Sequence, residues 1–168
     1  MHILLKTDIL QLYNKIIFLT RKKLFYNDFN VSDTFTVRIY LTFFHLSFIL
    51  IRLKMDKKNK GLSQKIFDFF FQQIEANFRE MGNGDAAVNK KMKVLVNLFY
   101  EILIYCQKWS LYTDSEKDRF LIKFFKNDEE CNILVANLSE YFDKFASFTK
   151  DISLNSLVNG VFNFSYKE

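Results

Sequence analysis

Proline is absent from this 168-residue chain, and glycine occurs only four times. Strand-rich sandwiches and barrels need such residues at their turns, and collagen-like or linker-like chains are built from them, so these classes are excluded. Two histidines, one of them beside the first Met, are too few for a His-rich metal site. Cys106 and Cys131 have no second pair, which rules out both a disulfide framework and zinc-ligand spacing; they read as reduced core thiols. No segment supplies the roughly 20 predominantly apolar residues of a spanning helix. The most apolar stretch, between Arg38 and Arg52, is interrupted by Thr42, His45 and Ser47 and is expected as a buried helix. The N-terminal stretch carries Lys6, Asp8 and Lys15 and has no small-residue cleavage site, so no signal peptide is expected.

What is abundant is phenylalanine: 21 residues in a chain that is 49% hydrophobic. Such a chain buries a core, and disorder is excluded. Helical periodicity dominates it. A first amphipathic stretch covers 8–25 and ends in Arg21, Lys22 and Lys23. Ser32 and Asp33 offer capping oxygens for a second helix reaching Lys54. That helix is apolar nearly all round, and Arg38, Thr42, His45 and Arg52 fall on one narrow stripe of it, to be exposed or to line a groove. A third helix over 62–81 buries Ile66, Phe67, Phe70, Ile74, Phe78 and Met81. Gly82 and Gly84 end it, with Gly82 as a left-handed cap, and Asp85 caps a fourth. In the fourth, Val88, Met92, Leu95, Val96, Phe99, Leu103 and Cys106 face inward. Thr113 to Glu116 has capping-box spacing and opens a fifth helix with Phe120, Leu121, Phe124 and Phe125. Asn127 with Glu130 repeats the signal ahead of a sixth with Leu134, Leu138, Phe142 and Phe145, and a short last helix over 153–158 ends at Gly160. The expectation is an all-α, single-domain bundle of six or seven helices spanning 1–168, with its core over about 8–165.

Catalytic chemistry finds little to stand on. There is no nucleophile elbow and no Walker loop, and His45 is the one plausible imidazole base. Gly82, Gly84 and Ala87 satisfy the letters of a dinucleotide fingerprint, but they follow a helix and not a strand. The acidic run Asp128, Glu129 and Glu130 is explained by the helix dipole. No catalytic residue, metal ligand or cofactor is assigned.

Binding is better represented. The chain has a net charge of +5, and residues 1–113 hold most of the surplus, with 17 Lys and Arg against 9 Asp and Glu. Three basic clusters stand out: Arg21 to Lys23; Lys54, Lys57, Lys58 and Lys60; and Lys90, Lys91 and Lys93. Such clusters neutralise phosphates without reading sequence, so an RNA, a ribosome surface or anionic head groups are candidate partners. Phe69, Phe71, Tyr100 and Tyr105 lie outside the strict core stripes, where they form either a second core face or an exposed apolar groove.

Several strings are similar to one family. Phe25-Tyr26, Val31-Ser32-Asp33-Thr34 and Arg38, then His45 and Arg52-Leu53, then Arg79-Glu80-Met81-Gly82-Asn83-Gly84-Asp85 with Val88, Lys90, Lys91, Lys93, Phe99-Tyr100 and Tyr105, resemble the ubiquinol-cytochrome c chaperones. Leu138, Tyr141, Gly160 and Phe164 fit a weaker C-terminal pattern, and Ser32 departs from the family's usual proline. The resemblance implies a non-enzymatic assembly factor for respiratory complex III. Its partners would be newly made cytochrome b, the ribosome, an anionic membrane surface and a second assembly factor, and not DNA. The absence of a transit peptide fits a bacterial form, peripheral to the cytoplasmic face of the inner membrane. The client or ribosome surface expected from it comprises Arg38, His45, Arg52, Arg79, Asp85, Lys90, Lys91, Lys93, Tyr100 and Tyr105. Two other readings stay open: a basic helical module binding RNA or the ribosome surface, and a small enzyme centred on His45.

Overall fold

The computed structural model describes residues 6–126 and 133–167. Without proline to interrupt them, its helices are long: α1 (Lys6–Thr20), α2 (Phe35–Lys54), α3 (Lys60–Glu80), α4 (Asp85–Gln107), α5 (Asp114–Phe125), α6 (Val135–Asp151) and the short α7 (Leu154–Val158). Among the described residues there are seven α-helices and no strand, the expected all-α bundle. Cys131 and the proposed helix start at Asn127 and Glu130, with Asp128 and Glu129, lie outside the described residues.

Helix α2 is the axis. Residues 41–50 are all buried, because α1, α3, α4, α5 and α6 each pack on it. Ring pairs fix the directions. Phe35 on Phe78 and Phe43 on Phe71 run α3 antiparallel to α2, whereas Phe43 on Phe99 and Phe48 on Trp109 run α4 parallel to it. Tyr40 on Phe124 and Phe44 on Phe120 make α5 antiparallel; Phe44 on Phe142 and Phe48 on Phe145 make α6 parallel. By length and mean hydropathy α2 passes as a membrane span, but 72% of that window is buried inside the bundle. Its apolar surface is occupied by neighbouring helices.

Local signals set the ends. The capping box forms as read, with the Thr113 N–H donating to Glu116 Oε2 at 2.7 Å and the Glu116 N–H to Thr113 Oγ1 at 3.3 Å. Gly82 adopts φ +90°, and the Asn83 N–H to Phe78 carbonyl and Gly82 N–H to Arg79 carbonyl bonds, 3.2 and 3.0 Å, close α3 in a Schellman turn.

Other boundaries differ from expectation. The first helix stops at Thr20, and Leu24–Asp28 forms a π-helical turn that carries Phe25 into the core, 4.8 Å from the Tyr141 ring. Thr34, and not Ser32 or Asp33, caps α2 by accepting the Val37 N–H at 3.2 Å; Asp33 pairs instead with Arg38. Gly84 and not Asp85 is the cap of α4, because the Asp85 carboxylate turns back to Arg79. Met81 and Leu134, read as core, are exposed, since each lies just beyond the helix whose stripe it would continue. Phe67, Phe120, Met92 and Val96 are only partly buried against the core.

After α7 the chain runs back as an extended tail along α1 and α6. Phe162 and Phe164 are buried, the Phe164 carbonyl accepts from Lys22 Nζ at 3.0 Å, and Tyr166 Oη donates to Glu140 at 2.8 Å. Gly160 makes this possible. Its φ is +67°, and a Cβ there would stand 2.8 Å from the Gln11 carbonyl oxygen.

Gly160→Ala is expected to cost about 1–3 kcal/mol, from the left-handed backbone and the collision with α1. Gly61→Ala, in the first turn of α3 with nothing within 4 Å of the new methyl, is expected to be neutral or to stabilise by up to about 1 kcal/mol. Urea denaturation checks the contrast; equal effects at the two positions would refute it.

Candidate functional site

The ten residues marked by the sequence fall into three regions, and the stripe on α2 is divided among them. Arg38 lies at the N-terminal edge of α2, where its Nε donates to Asp33 Oδ1 at 2.7 Å. That bond holds the guanidinium above its ordinary pKa. Arg52 lies about four turns on, at the C-terminal edge.

His45 sits between them with no solvent exposure. Its ring is packed edge-on by Phe25, Phe142 and Phe145, with centroids at 6.1, 5.4 and 4.8 Å. Nδ1 lies 2.6 Å from the Leu41 carbonyl and Nε2 lies 2.7 Å from Tyr141 Oη. A carbonyl oxygen only accepts, so Nδ1 carries the proton and donates to Leu41. Nε2 therefore accepts the Tyr141 hydroxyl proton. Burial lowers the His45 pKa to about 4 against the weaker opposing effect of the Leu41 bond, and burial likewise raises Tyr141. The ring is neutral at pH 7 and sealed from any client or substrate, so the expectation that it faces a groove is corrected. Helices α1 through α6 leave no opening over the middle of α2.

The second region is the turn between α3 and α4. Arg79 donates to Glu75 at 3.0 Å and to Asp85, fastening the two helices around Gly82. Lys91 Nζ donates to Asn83 Oδ1 at 3.0 Å and lies 5.1 Å over the Phe78 ring, so it also belongs to the turn. Lys90 and Lys93 are exposed on the outer face of α4. On that face follow Val94, Tyr100 and Ile104, between 46% and 59% exposed.

Of the two readings of Phe69, Phe71, Tyr100 and Tyr105, a second core face or an exposed groove, the groove does not form as one surface. Phe71 is buried and stacked between Phe43 and Phe67, while Phe69 packs against Tyr13 of α1. Tyr105 is sandwiched between Tyr112 and Phe120, with ring centroids at 4.1 and 3.7 Å. Only Tyr100 remains on an outward face, beside Ile104, which the sequence reading passed over because it attended to the buried stripe.

The third region is a cavity of about 320 Å³ at the C-terminal end of α2, lined by Arg52 and by residues of α4, α5, α6 and the 3-10 turn Trp109–Leu111. Within it Asp143 Oδ1 accepts from both Trp109 Nε1 at 2.7 Å and Lys117 Nζ at 2.9 Å. Residues 109, 117 and 143 are too far apart in sequence for spacing to reveal the cluster. Among the described residues no group of three His, Cys, Asp or Glu side chains is arranged to hold a metal ion.

Tyr141→Phe is expected to cost about 1–3 kcal/mol by leaving Nε2 unpaired in the core, measured as a shift in urea midpoint; an unchanged midpoint would show that the bond contributes nothing. Because the folded-state pKa lies below the ordinary 6.5, the unfolded chain takes up the proton first. Stability is therefore full above about pH 6.5 and falls as pH drops towards 4, by about 3 kcal/mol in total. His45→Gln is expected to flatten the part of that decline above pH 5, as read from urea midpoints across the range.

Comparison with known proteins gives two findings. The family model described as Ubiquinol-cytochrome C chaperone matches residues 27–164. Among solved structures, the fold is similar to the one titled "Crystal structure of the Cbp3 homolog from Brucella abortus", with a TM-score of 0.81 at 27% sequence identity over 95% of this chain and 90% of that chain. No curated protein matches.

Proposed function

The chain belongs to the ubiquinol-cytochrome C chaperone family, and on that premise we propose that it is a non-enzymatic assembly chaperone that binds newly made cytochrome b during biogenesis of ubiquinol-cytochrome c reductase. The family match over residues 27–164 carries this reading. The chaperone works at the cytoplasmic face of a bacterial inner membrane, as a peripheral protein, near the ribosome making its client and alongside a second assembly factor.

The outer face of α4 is the surface best suited to the client. Val94, Tyr100 and Ile104 give it apolar contact area, and Lys90 and Lys93 at its N-terminal end give it charge for anionic head groups or ribosomal RNA. Arg79, Asp85 and Lys91 act one step back: they hold the Gly82 turn that sets where α4 begins. Arg38 and Tyr105 serve the fold of the same bundle through Asp33 and through the Tyr112–Phe120 stack. With His45 sealed in the core, an enzyme built on that imidazole is the weaker reading.

Deletion of the coding sequence is expected to lower the b-type haem signal in difference spectra of membranes, and normal b-type haem would overturn the assembly role. The double change Lys90→Glu and Lys93→Glu is expected to weaken salt-sensitive co-sedimentation with ribosomes or anionic vesicles several-fold while leaving the fold intact. Ile104→Glu is expected to reduce recovery of cytochrome b from membrane extracts. Tight filter binding of random RNA by the wild-type chain, without cytochrome b recovery, would favour a basic RNA-binding module instead.

A further inference from the structure

Among the described residues, Arg52 is the one cationic side chain with a buried polar atom that lacks a partner. Its Nε is buried and has no hydrogen-bond partner, and no ion pair reaches its guanidinium among the described residues. A guanidinium drawn partly out of water without an acceptor is costly, and a matching anion removes that cost. One water molecule would satisfy the N–H and leave the charge unmatched.

The surroundings of Arg52 define what such an anion must be. Lys117 and Lys150 line the same cavity, and Asp143 is the one carboxylate there. Asp143 is already engaged by Lys117 and by Trp109 Nε1, and Lys117 also lies 5.3 Å from the indole ring. Both bonds end on Oδ1, and among the described residues Asp143 pairs with Lys117 and not with Arg52. Three positive charges against one negative leave two unmatched, the charge of a phosphate monoester dianion. The guanidinium fork suits phosphate oxygens in a two-point contact. Phe48, Ile51 and the Trp109 ring supply an apolar part of the wall beside the polar Gln107, Ser110, Ser147 and Thr149, and the volume of about 320 Å³ falls at the lower end of the range for small-ligand pockets.

We propose that this cavity binds an organic phosphate, its phosphate at Arg52 and Lys150 and its apolar portion against Phe48, Ile51 and Trp109. The phosphate comes either from a lipid such as phosphatidate or from a soluble phosphomonoester. Met55, 69% exposed, lines the cavity, and Leu111, 78% exposed, follows Ser110 at its edge. The inference rests on the cavity and stands apart from the chaperone reading, so cytochrome b levels do not bear on it.

Trp109 is the single tryptophan of the chain, so its fluorescence reports occupancy in the full-length protein. Soluble dihexanoyl phosphatidate is expected to give a saturable change, inorganic phosphate a weaker one, and dihexanoyl phosphatidylcholine none. Arg52→Gln is expected to weaken phosphatidate binding tenfold or more, and Lys150→Gln several-fold. Lys126→Gln, just past the C-terminal end of α5 and so beside the N-terminal end of α2, should leave it unchanged. Arg52-dependent sedimentation with phosphatidate-containing vesicles would support the lipid source; response to the soluble compound without vesicle binding would support the soluble one. No saturable response in the wild type, or wild-type affinity in both variants, would overturn the proposal. Should Arg52→Gln fail to fold by circular dichroism, the exposed Lys150 carries the comparison.

Discussion

Burial of α2 on every side is the constraint that orders this molecule. Ten consecutive residues, 41–50, are withdrawn from water, so no single neighbour suffices and five helices are needed to cover them. Phe43, Phe44 and Phe48 then interlock with rings from α3, α4, α5 and α6. A helix wrapped in this way has only itself and its neighbours to satisfy its polar side chains; among the described residues the Ser47 hydroxyl stays without a partner, while two others find one. Thr42 does so by donating to the Arg38 carbonyl at 2.9 Å, and His45 by its bonds to Leu41 and Tyr141. The His45–Tyr141 bond spans 96 positions of sequence and ties α6 to α2.

Covering α2 also determines where function has room. The neighbours meet over its middle, where residues 41–50 are all buried. Outward surface includes the far side of α4, the face of α1 that carries Leu10 and Phe18, and the two ends of the bundle. At one end the Gly82 turn joins α3 to α4, with Arg79 fastened to both. At the other, the C-termini of α2 and α6 approach the Trp109 turn around the Arg52 cavity. Helix C-termini favour cations, which accounts for Lys54 and Lys150 standing there. It does not supply Arg52 with an acceptor.

How much of this the sequence disclosed depends on the range of the interaction. Features closed within a few residues were legible: the Thr113–Glu116 box, the left-handed Gly82, the inward stripe of Val88, Leu95, Phe99 and Cys106. The similarity of residues 79–100 to one family was legible too, because a glycine turn flanked by Arg79 and Asp85 is a local pattern. The positions of Arg38, His45 and Arg52 on one stripe were also read correctly. Helical spacing assigns a face, however, and is silent on what covers it: the π-helical turn at Phe25 and α6 close over His45, while Arg38 and Arg52 lie near the ends. Thr34 displaced Ser32 and Asp33 as the cap because Asp33 is drawn to Arg38, a competition that capping preference alone does not rank. The Lys117–Asp143–Trp109 cluster joins three elements and left no periodic trace.

Twenty residues of α2 span about 30 Å, and this length separates the two charged ends. Lys90 and Lys93 stand near its N-terminal end, Arg52 and Lys150 at its C-terminal end. At physiological ionic strength the screening length is about 8 Å, so neither group feels the other through solvent. Between them lies an interior of packed rings around a neutral His45, with no chain of charges to carry an effect from end to end. Contacts made at one end therefore add to those made at the other without altering them. A single long helix, uninterrupted by proline and held by the rings around it, thus sets the Lys90–Lys93 end apart from the Arg52–Lys150 end. The apolar face of α4 runs between them.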